Sequence, residues 1–326
     1  MHLKSHSNDD QPLVSVITPT YNRPEYLIEA IASAVNQTYQ NIEIIVSDNC
    51  SPENPLSLIE KFNDSRIKFF RNNSNLGMFA NTVGAFKKAS GKYVASLLDD
   101  DAWEPEYLKK LVSPLEKHKD VAIAFCDHYI VDEHSKVDLE KTEQCSRTYR
   151  RLGLKEGLYQ PFWNLAIKTQ SVSPAIAAVM RRDVIDWENI PSEVGALWDV
   201  YLAYLCSAPG YGAYYVPERL TRYREHSQTE TMQSGRKNVQ SKLTKARAKI
   251  FCYQSFMADS RLADLHSYCQ HELAHHLTTL GVAMMRMNQL KDARPCFQKS
   301  LQTNPSIRTA TALFVSYLPG KIAQRL

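Results

Sequence analysis

The chain has 326 residues, of which 44% are hydrophobic and 23% are charged, and its net charge is +4. This composition is ordinary for a globular protein, and no run of about 18 uncharged apolar residues occurs, so the sequence argues against an integral membrane protein. Since single cores rarely grow beyond about 250–300 residues, we expect one large domain and one smaller one.

The N-terminal residues 1–12 are polar and lack the apolar core of a secretory signal. We therefore predict a disordered N-terminus and a cytoplasmic protein. The seven cysteines are odd in number and never form a C-x-x-C pair, which argues against a disulfide or zinc framework.

The first predicted elements alternate between strand and helix. A β-branched run over residues 13–18 predicts a strand, and Pro24 marks the first turn of a helix that continues through residues 25–35. The apolar run at residues 42–46 predicts a second strand. This order predicts a strand-helix-strand unit.

The alternation continues with a helix near residues 55–63, a strand at 67–70, a helix near 78–89 and a strand at 93–98. Such alternation predicts an α/β fold with a mostly parallel sheet and flanking helices. Ligands bind beyond the carboxyl ends of such strands, so we expect the polar residues that follow them to share one crevice.

The second half of the chain is less regular. Residues 127–170 show no clear period, which predicts loops or a lid. Beyond Pro217 the pattern is helical, and we place a domain boundary near residue 230, with a catalytic domain at 13–230 and a helical region at 231–326.

Within the helical region, residues 274–307 match the spacing of one tetratricopeptide helix pair. This pair must pack on neighbouring helices or on the catalytic domain, because one repeat cannot bury its own faces. Residues 221–326 carry 16 Lys and Arg against 6 Asp and Glu, a net charge of +10 that leaves −6 on residues 1–220. We therefore expect the basic end to face something anionic.

Three adjacent acids, Asp99, Asp100 and Asp101, follow the predicted strand at residues 93–98. Carboxylates at the end of a strand can hold a divalent metal that neutralises a leaving diphosphate. The alternative is an acidic N-cap for a helix that starts near Pro105.

Six short motifs occur in a fixed order along the chain. They are Val-Ser-Val-Ile-Thr-Pro-Thr-Tyr-Asn-Arg (14–23), Val-Ser-Asp-Asn-Cys-Ser (46–51), Asn-Leu-Gly (75–77), Leu-Leu-Asp-Asp-Asp-Ala-Trp-Glu-Pro (97–105), Leu-Trp-Asp-Val-Tyr-Leu (197–202) and Tyr-Val-Pro-Glu-Arg-Leu-Thr-Arg-Tyr-Arg-Glu-His (215–226). From Val14 to about Ser227, their order and spacing resemble the inverting family 2 nucleotide-sugar glycosyltransferases of the GT-A fold.

The resemblance implies a donor site for a UDP- or dTDP-sugar. Its side chains would be Thr18, Pro19, Thr20, Tyr21, Asp48, Asn75, Gly77, Asp99, Asp100, Arg222 and Arg224. Asp48 would accept a hydrogen bond from the N–H of the base, and the two arginines would bind phosphate. The alternatives are a simple turn at Asp48 and a purely structural role for Gly77.

The resemblance also implies a metal site for Mn²⁺ or Mg²⁺, with Asp101 and His226 as ligands. The family's commonest motif has an Asp, one other residue and then an Asp pair, and here Leu98 stands in the place of the first Asp. This departure leaves the choice of ribose contact open between Asp99 and Asp100.

The general base implied by the resemblance is Asp199, although Trp198 replaces the glutamate that often precedes it. Asp199 would take the proton of an acceptor hydroxyl as that oxygen attacks the anomeric carbon. A helix cap at Asp199 and an ordinary satisfied histidine at 226 are the alternatives.

The implied partners are a nucleotide-sugar donor and a glycan or lipid-linked acceptor. The apolar tail with its basic end, residues 311–326, favours contact with the inner face of the cytoplasmic membrane, and docking of this helix on the protein is the alternative. We expect no nucleic-acid partner, and association of copies through the helical region remains open. The alternative function is a sugar-nucleotide-binding or scaffold protein with a degenerate transferase domain.

Overall fold

A computed structural model describes residues 11–226 and 238–318. Within these ranges the chain divides into two compact units. The first unit contains residues 11–190 and 202–225, and the second contains residues 191–201, 226 and 238–318.

The first unit contains a single sheet, which has nine strands in the described part of the chain. The strands are β1 (Val14–Thr20), β2 (Ile42–Asp48), β3 (Ile67–Arg71), β4 (Tyr93–Ser96), β5 (Ala102–Trp103), β6 (Val121–Val131), β7 (Gly157–Tyr159), β8 (Ala178–Arg181) and β9 (Gly212–Arg224). The helices of this part of the chain are α1 (Pro24–Val35), α2 (Leu56–Ile59), α3 (Met78–Phe86), α4 (Tyr107–Lys117) and α5 (Leu139–Thr148).

The strand order is β3-β2-β1-β4-β8-β6-β9-β5, and β7 pairs with β9. Strands β1 to β4 are parallel, as the sequence predicts. Strand β8 runs antiparallel to both β4 and β6, while β6 and β9 are parallel, so the remainder of the sheet is mixed. The predicted α/β fold with flanking helices is confirmed.

The core lies between the sheet and its helices. Every residue of β1 and β2 is buried, as expected for parallel strands covered on both faces. Leu27 and Ile31 of α1 and Leu108 and Leu111 of α4 are buried at helical spacing and join the same core. This packing fixes the strand ends that carry the candidate site.

The interpretation of residues 127–170 as loops or a lid is wrong. The last five residues of β6, all of α5 and strand β7 fall within this segment. Strand β6 is buried on both faces and therefore shows neither alternation nor helical period, which explains why the pattern was missed.

The second unit is helical in its described residues. Helix α6 (Trp198–Cys206) begins in this unit, which also contains α7 (Val239–Ala258), α8 (His266–Arg286), α9 (Leu290–Thr303) and α10 (Ile307–Val315). Helices α8 and α9 pack closely, since a Cβ atom added to Gly281 would lie 2.5 Å from Cε1 of Phe297. A helix pair therefore occupies most of 274–307, and its tetratricopeptide character stays a prediction.

The division of the chain differs from the prediction in one segment. Residues 191–201, predicted within the catalytic domain, belong to the helical unit, where residues Ser192–Leu197 pack on α7. The predicted boundary at residue 230, residues 1–10 of the predicted disordered N-terminus and residues 319–326 of the tail lie outside the described residues. Among the helices of residues 11–226 and 238–318, none combines the length and apolarity that crossing a bilayer requires.

Candidate active site

The candidate site is built at the carboxyl ends of β1, β2 and β4. These strands are parallel neighbours, so their ends lie at one edge of the sheet. The chain leaves β4 in a tight turn, closed by a hydrogen bond from the Asp101 N–H to the Leu98 carbonyl at 3.2 Å. We call residues 99–101 the acidic turn.

The acidic turn does not cap a helix. Helix α4 has Glu106 at its N-cap position, five residues beyond the turn. The three aspartates are buried, and their side chains contact residues of β1, the β1–α1 loop and β9. The helix-cap alternative is therefore wrong for this turn.

Asp99 connects the turn to the end of β1. Its Oδ2 accepts hydrogen bonds from Thr20 Oγ1 at 2.8 Å and from the Tyr21 N–H at 3.2 Å. Burial and the neighbouring carboxylate of Asp100 raise the pKa of Asp99 above its ordinary value. The end of β1 and the acidic turn thus form one polar cluster.

Arg23 is a site residue that the sequence analysis quoted in a motif but gave no role. Its Nη1 lies 3.0 Å from Asp99 Oδ1 and 2.7 Å from Asp100 Oδ2, so one guanidinium nitrogen joins both carboxylates. The signal was available: a cation at the predicted crevice, beside three predicted anions, is expected to pair with them.

Asp101 is held differently. Its Oδ1 accepts a hydrogen bond from the Arg224 N–H at 3.0 Å, whereas its Oδ2 is buried without a hydrogen-bond partner among the described residues. Burial and the charge of Asp100 raise the pKa of Asp101 well above its ordinary value. A buried carboxylate oxygen that lacks a partner fits a hard divalent cation, which prefers oxygen ligands.

The described residues alone do not complete such a metal site. Within residues 11–226 and 238–318, no three His, Cys, Asp or Glu side chains come together to hold an ion. This is compatible with Mg²⁺-type sites, which commonly use one or two carboxylates plus substrate phosphates and water.

Arg224 does not fit the predicted phosphate contact, because its side chain is only 1% exposed. Its Nε donates to the Asp100 carbonyl at 2.8 Å, its Nη1 donates to Ser135 Oγ at 2.8 Å, and its Nη2 pairs with Glu29 Oε2 at 2.6 Å. The guanidinium also lies over the ring of Tyr26. Arg224 is therefore a buried link between the turn and its surroundings.

Arg222 also departs from the prediction. Its Nε pairs with Glu104 Oε1 at 2.8 Å, and its side chain is 38% exposed. It lines a separate cavity beside α4. A role in phosphate binding would require Arg222 to leave this ion pair.

Asp48, predicted to contact the base, is completely buried. Its Oδ2 accepts from Arg71 Nη1 at 2.7 Å, and its carboxylate also accepts from the Ser51 N–H at 3.2 Å. The turn alternative therefore describes the observed contacts, and the predicted base contact would require displacement of Arg71 or Ser51. Neither of these two residues was singled out from the sequence.

The loop after β3 contributes Asn75 and Gly77. Asn75 Oδ1 accepts hydrogen bonds from Asn49 Nδ2 and from the Gly77 N–H, both at 2.9 Å. Gly77 has φ +83°, a conformation that favours glycine, and no atom of residues 11–226 or 238–318 lies within 4 Å of a Cβ built there. Gly77 is thus required by the backbone and also leaves open space for a ligand.

The remaining donor residues belong to β1 and its end. Thr18 is buried with its Oγ1 unpartnered among the described residues, Pro19 pairs in register with Ser47 of β2, and Tyr21 is 44% exposed. An exposed aromatic ring at a strand end offers a stacking surface to a planar ligand. The donor contacts of these residues stay predictions.

Asp199 and His226 both belong to the second unit. Asp199 is the second residue of α6, where a carboxylate interacts favourably with the helix N-terminus. This position is compatible with the alternative that Asp199 only stabilises the start of the helix. His226 is buried two residues after β9. Their predicted roles as base and metal ligand stay predictions.

Comparison with solved structures defines the class of fold. Staphylococcus aureus TarS residues 1–349, in complex with UDP-GlcNAc, superpose with a TM-score of 0.61 at 14% identity, covering 97% of this chain and 90% of that one. The mannosyltransferase PcManGT of Pyrobaculum calidifontis, in complex with GDP-Man and Mn²⁺, gives a TM-score of 0.56 at 16% identity, covering 98% and 84%. The predicted GT-A fold is confirmed.

Residues 15–185 match the family described as glycosyl transferase family 2, and the chain belongs to this family. A similar curated protein is the Escherichia coli UDP-Glc:α-D-GlcNAc-diphosphoundecaprenol β-1,3-glucosyltransferase WfaP, 36% identical over 118 residues, which are 36% of this chain and 47% of the relative. The matched segments span less than half the length of the first curated relatives.

Proposed function

We propose that this chain is an inverting, metal-dependent glycosyltransferase. It moves a sugar from a nucleoside-diphosphate sugar, with UDP or dTDP as the nucleotide, to a hydroxyl of a glycan or lipid-linked acceptor in polysaccharide or glycoconjugate biosynthesis. The observation that carries the proposal is the acidic turn at the shared end of β1, β2 and β4, where Asp101 Oδ2 is buried and has no hydrogen-bond partner in the described part of the chain.

The donor chemistry follows from the residues around the turn. Tyr21 and the open space at Gly77 receive the nucleoside, and Asp99 or Asp100 faces the ribose. Asp101 would hold the metal with phosphate oxygens, and His226 is the second candidate ligand. A bound divalent ion would neutralise the negative charge that develops on the diphosphate as its bond to the sugar breaks.

The transfer step assigns the proton to Asp199. The acceptor oxygen forms a bond to the anomeric carbon while the bond from that carbon to the diphosphate oxygen breaks, and the Asp199 carboxylate takes the acceptor proton. Attack from the face opposite the diphosphate inverts the anomeric configuration.

Two proteins of the same fold and one curated relative support the proposal by analogy. The structure of TarS is a complex with UDP-GlcNAc, that of PcManGT is a complex with GDP-Man and Mn²⁺, and WfaP is named for a diphosphoundecaprenol-linked acceptor. The net charge of +10 on residues 221–326 supports a place at the inner face of the cytoplasmic membrane.

The test measures binding of UDP, dTDP and GDP by calorimetry with and without Mn²⁺, followed by hydrolysis of the matching nucleotide sugars. We expect Mn²⁺-dependent binding in the wild type, and a loss of about 100-fold or more in sugar release for Asp101→Asn. Asp183→Asn removes an exposed carboxylate of the same unit and serves as the control.

Full activity in Asp101→Asn would exclude the metal role of this residue. If no nucleotide binds at any Mn²⁺ concentration, the transferase proposal fails. Binding without sugar release or transfer would support the alternative, a non-catalytic sugar-nucleotide-binding or scaffold protein.

A further inference from the structure

The first unit contains a cavity of about 700 Å³ outside the candidate active site. It lies between the segment that leads into α4, strands β6 and β9, and the start of α5. Sites for small molecules typically measure about 300–1,000 Å³, so this cavity has room for a disaccharide-sized ligand. This cavity has no part in the proposed transfer reaction.

The charged side chains of the cavity wall are all in ion pairs, two of which lie within the wall itself. Arg222 Nε contacts Glu104 Oε1 at 2.8 Å, and Lys110 Nζ contacts the carboxylate of Glu218. Arg219 pairs with Glu143 at 2.5 Å. A charged ligand would have to break these ion pairs. A neutral ligand can form hydrogen bonds with both members of a pair without breaking it, because the wall carries acceptors and donors side by side.

The rest of the lining is apolar or aromatic. Tyr129 is the one residue of β6 that is not fully buried, and the guanidinium of Arg219 lies over its ring, 5.7 Å from the centroid. Leu139, the first residue of α5, is 62% exposed, and Leu220 is a core residue. The cavity thus combines an apolar surface with alternating hydrogen-bond acceptors and donors.

We propose that this cavity binds a neutral saccharide. A sugar hydroxyl both donates and accepts, so neighbouring hydroxyls match a carboxylate beside a guanidinium, as at Glu104 and Arg222. The C–H face of a sugar ring packs on Leu139 and on the part of the Tyr129 ring that Arg219 leaves uncovered. The site goes beyond the proposed transfer, since saccharide binding there needs neither nucleotide nor metal.

The position of the cavity relates it to the acidic turn. Arg222 lines the cavity, and Arg224, two residues further along β9, donates its N–H to Asp101. Residues 222 and 224 lie about 7 Å apart along β9, so this strand contributes to both the cavity and the acidic turn. A glycan segment bound in this cavity would be anchored to the same unit as the donor site.

The experiment is a titration of the full chain with maltose, cellobiose and chitobiose, followed by saturation-transfer NMR and by chemical shifts in ¹⁵N-labelled protein. Tyr129→Ala removes the aromatic surface. Leu139→Asp places a charge on an exposed wall position at a helix N-terminus, where Asp is well tolerated. The matched control is Tyr149→Ala, since Tyr149 is a half-exposed tyrosine with Arg151 over its ring and lies outside the cavity.

We expect at least one disaccharide to bind the wild type, and both cavity variants to weaken it about tenfold or more, while the control does not. UDP binding, measured in the same samples, stays unchanged in all three variants. The proposal is overturned if none of the disaccharides binds, or if Tyr129→Ala and Leu139→Asp bind them as tightly as the control. UDP binding is a separate readout, so failure of the saccharide proposal does not decide the transferase proposal.

Discussion

Arg222 and Arg224 lie two residues apart on β9, yet their environments predict a small and a large loss of stability, respectively, when the side chain is removed. Arg224→Ala would strip hydrogen bonds from the Asp100 carbonyl and leave a cavity, since the side chain is buried. Arg222→Ala removes a half-exposed ion pair with Glu104. We expect a loss of about 3 kcal/mol or more in the free energy of unfolding for Arg224→Ala, and of about 0–1 kcal/mol for Arg222→Ala.

Urea unfolding followed by circular dichroism measures both variants under the same conditions. Equal losses would show that Arg224 is not the link described for it. A conservative Arg224→Lys variant should recover only part of the stability, because an ammonium cannot reproduce the fork of donors.

The raised pKa of Asp101 predicts how the stability of the protein depends on pH. A carboxyl whose pKa is higher in the folded than in the unfolded protein lowers the stability at every pH where the unfolded chain has released the proton that the folded protein still holds. This cost is absent below the unfolded value of about 3.9, grows as the pH rises from there to the folded value, and is constant above it. Asp101→Asn should therefore raise the free energy of unfolding at pH 7.5, by about 1–2 kcal/mol.

The same comparison at pH 3.5 should show no gain for Asp101→Asn, because the wild-type carboxyl is then protonated in both states. Urea unfolding at the two pH values is the measurement. A gain that is independent of pH would assign the effect to packing rather than to ionisation. The variant would thus gain stability while losing the ligand that the proposed metal requires.

At the scale of elements, the contact between α8 and α9 depends on a glycine. Gly281→Ala would place a methyl group 2.5 Å from Cε1 of the buried Phe297, so the helices must separate. We expect a loss of about 1–3 kcal/mol. The control is Gly84→Ala in α3, where a Cβ meets nothing within 4 Å and helix propensity predicts a gain of about 0.5–1 kcal/mol.

Thermal unfolding of the two alanine variants distinguishes packing from propensity, since both changes are Gly to Ala within a helix. A stabilised Gly281→Ala would mean that α8 and α9 do not approach as closely as described. The difference in Tm between the two variants measures how strongly the packing of α8 on α9 depends on Gly281.

At the scale of the molecule, the two units are interleaved in sequence, and this predicts where the chain can be cut. A chain ending at residue 230 keeps Val194 and Leu197, which are buried in the intact protein, but loses α7, on which their segment packs. We expect a lower Tm and aggregation of this fragment, since two core side chains become exposed. A chain ending at residue 318 retains α7 to α10 and should have a higher Tm than the fragment that ends at residue 230.

Size-exclusion chromatography and a thermal scan of the two truncations provide the measurement. A monomeric 1–230 fragment with the Tm of the full chain would show that residues 191–201 do not depend on the helical unit.

Much of the first unit was predictable because its strands and helices have separate periods and turn signals. Strands β1 to β4 and the acidic turn follow from apolar runs that end in proline or polar residues. Strand β6 was missed, since a strand buried on both faces has no alternation to detect. The candidate site was predicted in its carboxylates but not in their partners. Arg23 stood in a motif at the predicted crevice, so its pairing could have been inferred, whereas the pair of Arg71 with Asp48 joins distant segments and depends on tertiary contacts that a local pattern does not encode.

The interleaving of the units also sets an order of events during synthesis. Residues 191–201 leave the ribosome before residues 202–225, which complete the first unit, and before α7, on which they pack. Domains generally fold as units from the N-terminus during synthesis, at about 5–20 residues per second. The apolar side chains of residues 191–201 are therefore without their partner helix for several seconds, and during this interval they are open to non-native contacts.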